Sequence, residues 1–94
     1  MRTYLQVTLK VADENREAAA GVYAKYYEPF LNEISGAVSK SLLIRGEDVQ
    51  VMNGFSSKEA AESYLTSEMF SKDIVGELGP LLDADPEIRI YEAH

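Results

Sequence analysis

The sequence predicts one α+β domain, in which a four-stranded antiparallel sheet carries helices on one of its faces. Three observations support this prediction. Short segments alternate apolar with polar residues, longer segments between them have apolar residues at helical spacing, and the segments follow one another in the order β-α-β-β-α-β. The length of 94 residues suits a single domain spanning 1–94, and no linker or low-complexity segment divides it.

The first half of the chain predicts a strand followed by a long helix. Strict period-two alternation from Tyr4 to Val11 is typical of a strand with one buried face. The helix that follows contains Pro29 and is expected to end near Gly36, a suitable C-terminal stop. Its apolar stripe consists of Ala19, Tyr23, Tyr26, Tyr27, Phe30 and Ile34.

A hairpin follows the helix. Its strands are predicted over Val38 to Ile44 and Val49 to Phe55, with Gly46 between them available for a positive φ. The hairpin places two neighbouring strands in the centre of the chain, as the split βαβ arrangement requires.

A second helical region and a last strand complete the order. Ser56 and Glu59 have the spacing of a capping box, with Ser56 as N-cap. Two helical pieces follow and stop at Gly79-Pro80, and a strand is predicted over Glu87 to Glu92. The fold class is therefore ferredoxin-like βαββαβ.

The two faces of the predicted sheet differ in composition. The face toward the helices is apolar: Leu5, Val7, Leu9, Leu42, Ile44, Val49, Val51, Phe55, Ile88 and Ile90. The opposite face is mixed: Tyr4, Gln6, Thr8, Ser39, Ser41, Leu43, Arg45, Gln50, Met52, Arg89 and Tyr91. A solvated face would carry fewer large apolar residues, so the mixture favours a homodimer built by this face. Arg45 and Arg89 are expected to pair with carboxylates or to contact the partner, although they could also stabilise an oxyanion.

The composition excludes several classes of function. There is no cysteine, and the single histidine is His94 at the end of the chain, so thiol chemistry, a catalytic triad and a tightly bound transition metal are not expected. The net charge of −7 argues against nucleic acid and anionic membranes. No apolar run reaches transmembrane length and the start of the chain lacks a signal-peptide core, so a cytoplasmic protein is expected.

One stretch resembles a known family. The residues Asn53-Gly54-Phe55-Ser56-Ser57-Lys58-Glu59-Ala60, then Tyr64, Ser67 and Phe70, are similar to the pattern of the antibiotic biosynthesis monooxygenase family, within the dimeric α+β-barrel superfamily. The ending, with Leu81-Leu82, Pro86 and the strand from Ile88 to Tyr91, is also similar. The chain departs from the family at Phe55, where a Trp is usual, and at Tyr64, where a His is usual. Haem-degrading members need a histidine near Ile74, and isoleucine cannot ligate iron.

The resemblance implies a homodimer and a function. The expected activity is that of a cofactor-independent monooxygenase that binds or oxygenates a small electron-rich aromatic, a phenol or quinol, whose own carbanion reduces dioxygen. The resemblance assigns no catalytic residue, metal or cofactor. The substrate-binding candidates are Asn53, Tyr64, Tyr27, Tyr23 and Phe55. Asn53 falls on the apolar face, where it either meets a ligand or makes a structural hydrogen bond.

The second interpretation is a non-catalytic homodimer that binds a small ligand or serves as an accessory protein. The absent His and Trp favour it. An enclosed cavity with converging polar groups would support the monooxygenase, and a filled core would support the accessory protein.

Overall fold

The four strands form one antiparallel sheet in the order β2-β3-β1-β4, which confirms the predicted fold class. The computed structural model describes residues 2–94. The strands are β1 (Arg2–Leu9), β2 (Ala37–Ile44), β3 (Val49–Phe55) and β4 (Glu87–Ala93). The α-helices are α1 (Arg16–Glu33), α2 (Lys58–Leu65) and α3 (Val75–Leu78).

The central strand β1 is shifted relative to its prediction. It spans Arg2–Leu9 rather than Tyr4 to Val11, and its residues alternate between the buried core and the outer face. Beyond Leu9 the chain leaves the ladder with β3, and Val11 forms an isolated bridge with Leu82 instead. The amide of Asp83 donates to the carbonyl of Lys10 over 2.8 Å in the same region. Lys10 and Val11, the last two residues of the predicted strand, are therefore paired with the segment before β4 and not with a strand of the sheet.

Helix α1 packs on the sheet and ends as the glycine signal predicted. Phe30 and Ala19 are buried, and Pro29 lies inside the helix. Three residues after the helix, Gly36 adopts a φ of 82°. A Cβ there would lie 2.6 Å from the Cβ of Ala60. Only glycine combines that backbone conformation with so close an approach to α2.

The turn between β2 and β3 differs from its prediction. Gly46 does not adopt the predicted positive φ. Among residues 2–94, Gly36 is the only glycine with a positive φ. The turn is held instead by the amide of Arg45, which donates to the carbonyl of Asp48 over 3.1 Å, and by the pairing of the two side chains. The guanidinium of Arg16 also donates to the carbonyls of Arg45 and Gly46, each over 2.8 Å.

The second helical region begins one residue later than predicted. Ser57, not Ser56, is the N-cap of α2, and its hydroxyl accepts from the amide of Ala60 over 3.1 Å. The amide of Ser56 is already bound to the carbonyl of Gly36 over 2.9 Å, so the predicted capping box with Glu59 does not form. After α2, a π-helical segment (Met69–Ile74) leads into α3, and a 3-10 turn (Gly79–Leu81) ends the region.

All the helices lie on one face of the sheet, and the core fills the space between. Two residues predicted for the core, Ile44 and Ile88, are 65% and 40% exposed, because they lie on the edge strands β2 and β4 where helix cover is incomplete. The buried apolar residues are Leu5, Val7, Leu9, Val11, Ala19, Phe30, Val49, Val51, Phe55, Ala61, Tyr64, Phe70, Ile74 and Leu78. The pairing of Gln6 with Met52 and of Tyr4 with Tyr91 confirms the predicted composition of the mixed face.

Candidate functional site

A cavity of about 420 Å³ lies between the sheet and the helices. Its floor is formed by apolar residues of the central strands, among them Val7, Leu9 and Val51. Its roof is formed by α1 and by the region from Phe70 to Leu78. Ligand sites in proteins commonly have volumes of roughly 300–1,000 Å³ and mostly apolar walls. The cavity is therefore large enough for a small aromatic molecule.

The cavity has an open end and a closed end. At the open end the lining residues include the exposed Ile44 and Val75 and the segment 83–86. At the closed end the lining residues Asn53, Tyr64 and Lys40 are buried. Polar groups thus converge on the part of the cavity that is farthest from solvent.

Lys40 and Asn53 form a buried polar pair at the closed end. They lie directly opposite each other on β2 and β3, and both side chains point to the helix face. The ammonium of Lys40 donates to Oδ1 of Asn53 over 3.0 Å. Nδ2 of Asn53 donates to the carbonyl of Leu5 over 3.1 Å. Both polar atoms of the Asn53 amide are therefore hydrogen-bonded within the protein, which satisfies the need of a buried amide.

Aromatic rings surround the ammonium of Lys40. Nζ lies 4.3 Å from the centroid of the Phe30 ring and 5.8 Å from that of Tyr64. Phe30, Tyr64 and Phe55 pack against one another with centroid distances of 5.1 to 5.6 Å, and Phe70 adds a further ring against Tyr64 at 5.2 Å. A cation over the face of a ring within about 6 Å is stabilised by the ring's negative face. The rings partly replace the water that Lys40 has lost.

The surroundings of Lys40 perturb its protonation. The side chain is only 7% exposed, and loss of solvation lowers the pKa of its ammonium from the ordinary 10.5 to about 8. No carboxylate lies within ion-pair distance of Nζ in the chain from residue 2 onward. At neutral pH the closed end therefore holds a cation without a counter-ion.

Two tyrosines complete the polar groups of the closed end. Burial raises the pKa of the Tyr64 hydroxyl, so this group stays protonated and can donate a hydrogen bond at neutral pH. Burial, with a smaller effect of Tyr27, also raises the pKa of Tyr23. The Tyr23 hydroxyl donates to the backbone carbonyl of Lys40 over 3.1 Å, which ties α1 to β2 beside the cavity.

A polar cluster at the surface joins the two helices of the roof. Glu77 on α3 accepts from the Tyr26 hydroxyl and from the ammonium of Lys25 on α1, the latter over 3.0 Å. The Tyr26 hydrogen bond, and then that of Lys25, lower the pKa of Glu77. This cluster fixes the spacing of α1 and α3 above the cavity.

The structure brings together three of the five predicted site residues. Asn53, Tyr64 and Tyr23 line the cavity. Tyr27 is 38% exposed and does not line it, and Phe55 is fully buried behind Tyr64. The position of Asn53 on the helix face confirms the predicted register of β3.

The prediction overlooked Lys40. Period-two alternation on β2 places Lys40 on the same face as Leu42, so the signal that identifies it is present in the sequence. A lysine is rarely buried without a partner, so composition alone predicts an exposed side chain at this position.

Arg45 and Arg89, which were predicted to pair with carboxylates or to contact a partner, do not line the cavity. Arg45 pairs with Asp48, and Arg89 pairs with Glu87 over 3.4 Å.

Ile74 lies in the cavity wall and supplies no ligand atom for iron. Among residues 2–94 there is no cluster of three or more histidine, cysteine or acidic side chains that could hold a metal ion. The described helices include none that is long and apolar enough to cross a membrane.

Several solved structures share the fold. A conserved protein from Methanosarcina mazei has a TM-score of 0.86 at 18% identity, over 100% of this chain and 94% of that one. A proposed antibiotic biosynthesis monooxygenase from Caulobacter crescentus has a TM-score of 0.85 at 18% identity, over 99% and 90% of the two chains. A protein of the same description from Deinococcus radiodurans has a TM-score of 0.83 at 15% identity, over 98% and 92%.

These likenesses concern the fold. Neither a protein-family model nor a curated protein sequence matches the chain. The predicted resemblance to the proteins described as antibiotic biosynthesis monooxygenases is thus confirmed by backbone structure over nearly the whole chain. Since fold does not fix activity, these likenesses by themselves assign no reaction to the cavity.

Proposed function

We propose that this chain is an antibiotic biosynthesis monooxygenase and that its cavity binds and oxygenates a small electron-rich aromatic of the phenol or quinol type without a cofactor. The observation that carries the proposal is the cavity of about 420 Å³, whose walls are apolar and whose closed end gathers Asn53, Tyr64 and Lys40. An aromatic ring suits the walls, and a phenolic oxygen suits the closed end.

The reaction needs no outside reductant. When a phenol becomes a quinone, its ring loses four electrons and dioxygen takes them up, with one oxygen atom bonded to the ring carbon and the other released as water. The ionised phenol carries electron density on that carbon, and the new C–O bond forms there. The hydrogen on that carbon and the phenolic proton leave with the water. The protein has only to orient the ring, exclude water and stabilise the oxyanion.

The residues of the closed end have separate roles in this proposal. The protonated hydroxyl of Tyr64 donates to the substrate oxygen. Asn53 keeps one amide hydrogen beyond the one bound to Leu5, and that hydrogen is available to the substrate. Tyr23 holds α1 against β2 through its bond to the carbonyl of Lys40 and offers its ring as a wall.

A non-catalytic role as a small-ligand-binding or accessory protein is the alternative. It is favoured because each polar atom of the Asn53 side chain already has one hydrogen-bond partner within the protein. In that case the cavity sequesters its ligand, and no oxygen is consumed.

We further propose that the chain forms a homodimer through the mixed face of the sheet. Leu43 and Tyr91 are 46% and 50% exposed on this face, and none of the helices among residues 2–94 covers it. A second sheet packed against it would remove those side chains from water. This assembly would be the dimeric α+β barrel.

Oxygen uptake with matched cavity variants tests the activity. A hydroquinone and a hydroxynaphthalene are incubated with the protein in metal-chelated buffer without flavin, while uptake is followed with an electrode and products are analysed after ¹⁸O₂ labelling. Ala19→Phe fills the cavity from α1, since Ala19 is buried and lines it. Ala18→Phe is the control, because Ala18 is exposed on the same helix.

Three outcomes distinguish the monooxygenase from the non-catalytic accessory protein. Uptake above the protein-free rate, with one labelled atom in the quinone, supports the monooxygenase if Ala19→Phe abolishes it and Ala18→Phe does not. Saturable binding by calorimetry without uptake selects the accessory role. Absence of binding to the wild-type protein refutes an aromatic-binding cavity.

A further inference from the structure

The buried ammonium of Lys40 is the least expected group in the cavity. It lies on the edge strand β2, opposite Asn53, and donates one hydrogen bond of 3.0 Å. A lysine ammonium has three donors, so two remain without a partner among residues 2–94. Burial of an unpaired charge is costly, and an apolar side chain of similar volume would stabilise the core at least as well.

The other charged and titratable groups of the cavity do not neutralise Lys40. Tyr23 and Tyr26 from α1 and Tyr64 from α2 are protonated at neutral pH, since the pKa of each is raised. The remaining groups are Arg16, Asp83 and Asp85, and the two carboxylates are exposed at the open end. The closed end is therefore electropositive within an otherwise apolar space.

We propose that Lys40 binds the ionised oxygen of the ligand, so that the cavity selects aromatic molecules with an acidic hydroxyl and holds them as anions. This inference rests on the proposed function, because it takes the occupant to be aromatic. The anion supplies the counter-ion that Lys40 lacks, and its oxygen accepts one or both of the unused N–H groups. The Phe30 ring lies 4.3 Å from Nζ and covers the ammonium, and Tyr64 lines the cavity beside it.

The pair has a measurable consequence for the ligand. An opposite charge within about 4–6 Å lowers the pKa of an acid by roughly 1–3 units. The hydroxyl of a bound phenol should therefore ionise at least about one unit below its value in water, which corresponds to at least a tenfold preference for the anion. A neutral molecule of the same shape gains nothing from Lys40.

The test uses 4-nitrophenol, whose ionised form absorbs visible light, and 4-nitrotoluene, its neutral isostere. Each is titrated with wild-type protein, Lys40→Met and Lys58→Met, and the fraction of ionised nitrophenol is followed across pH. Lys58 is exposed at the start of α2 and is the matched control. We expect a lowered nitrophenol pKa with the wild type and Lys58→Met, and no lowering with Lys40→Met. Nitrotoluene should bind all three proteins with similar affinity.

The outcomes distinguish this inference from the proposed function. If both probes bind and the nitrophenol pKa is unchanged or raised in the wild type, or is lowered equally in Lys40→Met, Lys40 does not hold an anion, while the aromatic cavity stands. If neither probe binds, the proposed function fails and the inference fails with it. The wild-type titration alone decides the matter if circular dichroism shows that Lys40→Met does not fold.

Discussion

The buried Lys40 should make the stability of the protein rise with pH in the alkaline range. In the folded protein the pKa of its ammonium is lowered to about 8, whereas in the unfolded chain it returns to the ordinary 10.5. Between these values the unfolded chain binds more protons than the folded one, so the free energy of unfolding increases as the pH rises. Below pH 8 both states are protonated, and the penalty of the buried charge is fully present.

The size of the effect follows from the two pKa values. A single group with these values changes the free energy of unfolding by about 2 kcal/mol between pH 7 and pH 9.5. Above about pH 10 the titration of the buried tyrosines lowers the free energy of unfolding as the pH rises. Burial raises the pKa of Tyr23 and Tyr64 in the folded state, so the stability that they contribute is lost as the pH passes their unfolded value. The measurement therefore stops at pH 9.5.

Urea denaturation of the wild type and of Lys40→Met, measured at intervals of half a pH unit, isolates the contribution of Lys40 to the free energy of unfolding. The variant loses the titrating group, and we expect it to fold, because removal of the buried charge offsets the roughly 1–3 kcal/mol lost when Oδ1 of Asn53 loses its donor. Subtraction of the two profiles removes every group that both proteins share. Parallel profiles between pH 7 and pH 9.5 would refute the reasoning and would place the ammonium in contact with water.

Three further predictions concern other parts of the chain. Asn53→Ala should lower the free energy of unfolding by roughly 1–3 kcal/mol, because both hydrogen bonds of the buried amide are lost. Unchanged binding of a phenolic probe to this variant would remove Asn53 from the site. Ser57→Ala should cost about 1 kcal/mol in chemical denaturation through loss of the α2 cap, whereas Ser56→Ala should cost clearly less, and the reverse order would contradict the cap. Light scattering should give twice the 10.5 kDa of the chain, and Leu43→Glu should yield monomers; a monomeric wild type would refute the dimer.

Local signals in the sequence predicted most of the fold but misplaced several ends. Alternation located all four strands, yet β1 ends at Leu9, because Lys10 and Val11 pair with the segment before β4. By local sequence alone, Ser56 and Ser57 are equally suitable as the N-cap of α2. In the structure the amide of Ser56 is bound to Gly36, a residue distant in sequence, and Ser57 is the N-cap.

The candidate site was predicted in part. Asn53 was identified because an amide in the apolar phase of a strand is unusual, and its burial to 1% exposure agrees with that reasoning. Tyr23 and Tyr27 carry the same local signal on α1. Only the packing of the helix turns Tyr23 toward the cavity and leaves Tyr27 exposed, since the stripe is wider than the surface it covers.

The sequence by itself determined the order of the elements and the face of the sheet that the helices cover. It also excluded thiol chemistry, since the chain has no cysteine. These properties depend on periodicity and composition, which act along the chain. Tertiary structure alone decided that the core contains a cavity and that Lys40 lies at its closed end against Asn53 and the ring of Phe30. Cavities and the pairing of side chains depend on the distances between elements, and no local pattern encodes those distances.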